Sequence, residues 1–184
     1  MPFLGIIAQE TLTMSGKIAF QGELGAYGHQ ACNEAYPGFE PLPCVTFNDA
    51  IEAVRKGDAE LGMIAVENST YGRVADVHSL LPESGLHIVD EAFVRVHVNL
   101  LGKKGAPLSD IEHALGHPVI LPQCSIFLRE QNISGAVSSD NAKAARDVAE
   151  GDDPTIGALA SELAADIYGL DVLARHIEDN DRNT

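Results

Sequence analysis

Short apolar runs alternate along this chain with stretches whose apolar residues recur every three to four positions, the pattern of an α/β fold. Lys17–Gln21 reads as a strand and Gly28–Tyr36 as a helix closed by Pro37-Gly38. Pro43–Thr46 predicts a second strand. Thr46, with Asp49 three residues on, is a capping-box-like helix start. Phe47, Ala50, Ile51 and Val54 then give that helix one buried face as it runs to Gly57. Gly62–Val66 predicts a third strand ending in Glu67-Asn68-Ser69, and Val74–Leu81 a helix stopped by Pro82. Leu86–Gly102 reads as one β-rich stretch, long enough to connect two bodies. Beyond it the alternation restarts, with a short helix from Ser109 capped reciprocally by Glu112, a strand at His113–His117 and a helix at Pro122–Gln131. Gly135–Ser138, Asn141–Glu150, Thr155–Ala160 and Ser161–Tyr168 continue as strand, helix, strand, helix. The pattern therefore predicts two α/β lobes with a cleft between them. Lobe A takes residues 14–94 plus 176–184 and lobe B residues 95–175. Residues 1–13 are expected to be an upstream, disordered extension.

Composition narrows the functions open to such a fold. Asp and Glu number 27 against 12 Lys and Arg, a formal charge of −15. A field of that sign repels nucleic-acid backbones and anionic lipid surfaces, so neither is an expected partner. No run approaches the apolar length of a membrane span, and the opening Met1-Pro-Phe-Leu-Gly-Ile-Ile-Ala lacks a basic leader region. The cytoplasm is the expected location. Cys32, Cys44 and Cys124 are odd in number and show no zinc spacing. Neither a dinucleotide fingerprint, a P-loop nor a nucleophile elbow occurs. His113 and His117 stand four apart, but Gly116 and Pro118 argue against the helix that would make them a metal pair.

In open α/β sheets ligands bind beyond the carboxyl ends of strands. Two segments fall there: Phe20-Gln21-Gly22-Glu23-Leu24-Gly25-Ala26-Tyr27 after the first strand, and Glu67-Asn68-Ser69-Thr70-Tyr71-Gly72-Arg73 after the third. Either alone is a turn with a helix cap. Together they suggest a small-molecule cleft.

These segments resemble the dehydratase domain of the prephenate dehydratase family, and further pieces follow in order. They are Phe47-Asn48-Asp49-Ala50-Ile51, Val66-Glu67-Asn68-Ser69, His117-Pro118 with Gln123-Cys124, and Ile156–Ser161 through Ile177, Asp179 and Asn183. The resemblance implies two lobes arranged like a type II periplasmic binding protein. It also implies conversion of prephenate to phenylpyruvate with loss of carbon dioxide and water, in phenylalanine synthesis, with arogenate as an alternative substrate. It implies no metal, no organic cofactor and a homodimer or larger assembly. By carry-over, Asn68, Gln123 and Glu67 are catalytic, Glu67 by ordering its loop or handling protons. Ala26, Tyr27, Ser69, Gly116 and His117 bind substrate.

The sequence also departs from the family pattern. Gly116 and Gly28 stand where relatives carry a hydroxyl side chain, and Asn141 stands where they carry threonine. The family closes this domain with Asn-x-Thr-Arg-Phe, its threonine the expected catalytic hydroxyl, and follows it with a regulatory ACT domain. Here Asn183-Thr184 brings the sequence only to the x position. The expectation is a truncated and impaired dehydratase, or a non-catalytic anion-binding or regulatory module on the same fold.

Overall fold

A computed structural model describes residues 1–8, 15–180 and 183. The chain divides into two compact units, one of residues 1–95 rejoined by Asn183, the other of residues 96–180. The change of unit at Arg95/Val96 falls inside the stretch read as one long strand, and residues 176–180 stay with the second unit. Thr184, Asp181 and Arg182 lie outside the described residues.

Unit 1 runs β1 (Pro2–Ile7), β2 (Gly16–Gln21), α1 (Tyr27–Ala35), β3 (Phe39–Cys44), α2 (Phe47–Lys56), β4 (Leu61–Ala65), β5 (Glu67–Asn68), β6 (Gly72–Arg73), α3 (Ala75–Ser84) and β7 (His87–Phe93). Its sheet has the order β3-β2-β4-β1-β7. β3, β2 and β4 are parallel, while β1 runs antiparallel to both neighbours. Helices cover both faces, so strand residues alternate between two cores. Phe3, Ile18, Phe20, Leu61 and Met63 pack with Ala31 and Cys32 of α1. Ile6, Ala19 and Ile64 pack with Ala50, Ile51 and Val54 of α2 and Val77 of α3. Each large side chain so buried contributes about 1.5–3 kcal/mol.

Local chemistry explains the helix ends. Thr46 and Asp49 form the capping box the sequence signals, and Gly57 closes α2 in the left-handed region. α3 passes through Pro82 and stops at Gly85, also left-handed, because Ser84 Oγ ties Leu81 O to Leu86 N. β3 lies several residues earlier than predicted. Its Pro41 and Pro43 are tolerated because β3 is an edge strand.

The opening residues correct the sequence reading. The segment 1–13, expected to be a disordered extension, contains β1 in the sheet interior, with Phe3, Ile6 and Ile7 buried. A run apolar at nearly every position is what a strand buried on both faces looks like. Residues 9–13 of that segment lie outside the described residues.

Unit 2 runs β8 (Asn99–Gly102), β9 (His113–Gly116), α4 (Ser125–Glu130), β10 (Ser134–Val137), α5 (Asn141–Glu150), β11 (Ile156–Ala160), α6 (Glu162–Tyr168) and β12 (Asp171–Ala174). Its sheet order is β10-β9-β11-β8-β12, with β8 antiparallel to β11 and to β12. Ala144, Ala145, Val148, Ala164 and Ala165 pack on Leu101, Ala158 and Ala160. The helix expected at Ser109 is a single 3-10 turn, Leu108–Asp110, since β9 begins three residues later. Among the described residues no helix is long and apolar enough to cross a membrane.

Candidate functional site

β2 and β4 are parallel neighbours, so the loops at their carboxyl ends leave the same edge of the sheet. The β4 loop is a tight turn. Asn68 is buried, and its Oδ1 accepts from the backbone N–H groups of Thr70 (3.0 Å) and Tyr71 (2.9 Å). The two-residue ladder Glu67↔Arg73 and Asn68↔Gly72 fixes the ends of the turn, with Gly72 at positive φ. Ser69 Oγ donates to Asn183 Oδ1 at 3.5 Å, and Asn183 is itself buried. Glu67 is exposed. Its main chain pairs with that of Arg73.

The β2 loop leads into α1. Ala26 is the extended residue before the helix and has no side-chain cap; Tyr27 opens the helix, half-buried against the core. The loop is held from below by His29. Its Nδ1 accepts from Gly25 N–H at 2.9 Å, and its ring stacks on Phe20 at a centroid distance of 5.7 Å. A ring nitrogen that accepts from an amide carries no proton, so the neutral form is required. Burial also lowers the pKa of His29.

That fixes a pH dependence. A histidine whose folded pKa lies below its unfolded value contributes fully above about pH 6.5, and the contribution is lost as pH falls further. The melting temperature should therefore fall between pH 7 and pH 5 by more in the native protein than in His29→Asn, which keeps an acceptor near the Gly25 amide but does not titrate. Equal slopes for the two proteins would refute this assignment.

In unit 2 the residues expected in the site fall at the end of β9 and in the segment after it. Gly116 is buried, and a Cβ there would come within 3.2 Å of Leu159 Cδ1. The backbone N–H of His117 donates to Asn141 Oδ1 (2.8 Å), and its ring Nδ1 accepts from Val119 N–H (3.2 Å). Gln123 Nε2 donates to Val119 O at 2.6 Å. His117 and Gln123 thus grip the same residue from its two sides. Asp179 anchors the other end of this loop, donating N–H to Gln123 O and accepting from Ser125 Oγ and Ile126 N–H. His113 is on β9 and not on a helix.

The structure thus assembles Ala26, Tyr27, Glu67, Asn68 and Ser69 in one unit, and Gly116, His117 and Gln123 in the other. The supporting roles of His29 and Asn141 were not read from sequence; a cap-rich run, Ser138-Ser139-Asp140-Asn141, was the available signal for the second. Thiolate chemistry has little footing. Burial pushes Cys32 up to about 12 and raises Cys124, while Cys44 is raised by burial and the charge of Asp49.

Two α/β units, each with a mixed sheet and polar turns at the carboxyl ends of its parallel strands, define the class of fold. The family pattern described as prephenate dehydratase matches residues 18–184, and the chain belongs to that family. A bifunctional N-acyl-homoserine lactone acylase/prephenate dehydratase of Komagataeibacter europaeus is 47% identical over 167 residues, covering 91% of this chain and 59% of that protein. Arogenate dehydratase/prephenate dehydratase 1 of Arabidopsis thaliana, a chloroplastic protein, is 38% identical over 91% of this chain and 43% of its own length. The crystal structure of prephenate dehydratase from Arthrobacter aurescens in complex with L-Phe superposes with a TM-score of 0.83 at 30% identity, covering 91% of this chain and 57% of that one. The chain thus spans about half the length of the relatives it matches.

Proposed function

We propose that this chain carries the site that converts prephenate to phenylpyruvate with loss of carbon dioxide and water. The observation that carries the reading is the Glu67-Asn68-Ser69 turn. Asn68 is buried with Oδ1 committed to two turn amides, which leaves its Nδ2 as the group that donates to a ligand. Hydroxide is a poor leaving group, so the departing ring hydroxyl needs a donor in the transition state. A chain with a net charge of −15 must also hold a dianion without a basic patch. Neutral donors meet both demands: Asn68 and Gln123 as amides, and the N–H groups at the start of α1 beside Ala26 and Tyr27 for the retained carboxylate. Ser69 holds the turn through Asn183, His117 shapes its loop beside Gly116, and Glu67 orders the entry to the turn. The reading places the reaction in the cytoplasm, in a homodimer or larger assembly.

A second reading, binding without turnover, is favoured by one observation. A Cβ on Gly28 would lie 3.1 Å from Phe20 Cδ2, and one on Gly116 3.2 Å from Leu159 Cδ1. Neither position has easy room for the hydroxyl side chain the family carries there.

Calorimetry with prephenate and an assay of phenylpyruvate formation separate the two. Saturable binding with product formation supports the dehydratase. Binding with product at background supports the second reading, and no binding at millimolar prephenate sinks both. Arogenate and an N-acyl-homoserine lactone, substrates in the names of the relatives, belong in the same assays.

A further inference from the structure

The two sheets repeat one another. In each, three parallel strands are followed by one antiparallel strand and then an edge strand, β3-β2-β4-β1-β7 against β10-β9-β11-β8-β12. In unit 2 the antiparallel strand, β8, is the first strand after the chain enters that unit. The matching position in unit 1 is held by β1, which arrives from the start of the sequence and lies outside the family pattern, whose match begins at residue 18. We propose that the channel between β4 and β7 is a strand-binding site for an extended apolar peptide, that residues 1–8 are a separable ligand resident in it, and that its occupancy positions the Glu67–Ser69 turn.

The channel has the features of a binding site read by strand addition. Both walls supply backbone partners, in the registers Phe3↔Ala65 to Ile6↔Gly62 on one side and Pro2↔Phe93 to Ile7↔His87 on the other. Side-chain selection is built in. Ile6 fits only because position 62 is glycine, where a Cβ would come within 2.7 Å of Ile6 Cγ1. Gly5 lies where a Cβ would meet Tyr36 Oη at 3.3 Å and Asp90 Cβ at 3.4 Å, so that position of the ligand must be small. Phe3 is fully enclosed against the α1 face. The occupant touches the turn directly. Pro2 O accepts from Val66 N–H at 3.0 Å, one residue before Glu67, while Val66 O accepts from Val74 N–H at 2.9 Å on the far side of the turn. Val94 N–H donates to Met1 O at 3.0 Å, and the Met1 amino group donates back to Val94 O.

The inference rests on the proposed function only for what the turn does; strand binding is read without catalysis. A protease site introduced between Ala8 and Ser15 in the complete chain lets β1 be cut from its tether. The fragment is expected to co-elute with the protein after cleavage and to be released by mild urea. A synthetic peptide of residues 1–8 should then rebind one to one, and the same peptide with Ile6→Asp at least roughly tenfold more weakly, because it buries a charge. Hydrogen exchange at the Val66 and Val94 amides should be roughly tenfold or more faster without peptide and slow again with it. Unchanged protection at both amides after release, or equal binding of the two peptides, overturns the proposal. If the cut protein unfolds when the fragment leaves, isotope-labelled peptide is added without urea and its incorporation followed by mass spectrometry; no incorporation over days overturns it equally. Phenylpyruvate formation is followed in parallel, and its absence bears on the dehydratase reading alone.

Discussion

Asn68→Ala should lower kcat/KM for prephenate by about 10²-fold or more, the effect of removing one transition-state donor. The loss is expected without unfolding. The two amides that Asn68 holds belong to Thr70 and Tyr71, both exposed, so water replaces the lost acceptor and the stability cost stays at about 1 kcal/mol. Asn68→Asp is the sharper variant. It keeps an oxygen for both turn amides but replaces the Nδ2 donor with a negative charge facing an anionic substrate. Its melting temperature should match the native protein while its activity falls at least as far as that of Asn68→Ala. Retention of half the native kcat/KM by Asn68→Asp would end the case for Asn68 as the donor.

Phe20→Ala should cost about 3–5 kcal/mol, a large fraction of the 5–15 kcal/mol that holds a typical domain together. Phe20 is fully buried, lies in the core between the sheet and α1, and carries the His29 ring on its face. Its loss leaves a cavity and loosens the residue that holds the Gly25 amide. The urea midpoint is the measurement, with Phe20→Leu as the milder comparison. A shift of less than about 1 kcal/mol for Phe20→Ala would mean that this core collapses to fill the space. The same ring crowds Gly28, so Gly28→Ser should be tolerated better in the Phe20→Leu background than alone, a coupling that a double-mutant cycle reads directly.

Where the fold was legible, the signal was local. The Thr46–Asp49 capping box, the apolar face of α2 and the limits of α5 need nothing beyond a dozen residues of context, and the structure has them as read. The misses are places where distant partners decide. β1 is an interior strand because β4 and β7 flank it, and its apolar run fits such a strand without naming those partners. β3 includes two prolines that its edge position permits. The stretch 86–102 breaks into β7 and β8 because it serves two sheets. The site divides in the same way. The Asn68 turn follows from a strand end and its own side chain. The bonds from His29 to Gly25 and from His117 to Asn141 pair residues whose types fit many other roles, and that of Gln123 to Val119 depends on how the chain turns between them.

The bond between Ser69 and Asn183 joins positions 114 residues apart, with all of unit 2 strung between them. During synthesis, every strand of the first sheet is made before any strand of the second. Closing so long a loop adds only a logarithmic entropy cost, about 0.6 kcal/mol per doubling of length, so delay and not energy is its consequence. A nascent chain can therefore display a nearly finished first sheet while Ser69 still waits for its partner. The turn that holds Asn68 receives this contact only once residue 183 has emerged, so the loop edge of the first sheet matures later than the sheet it belongs to.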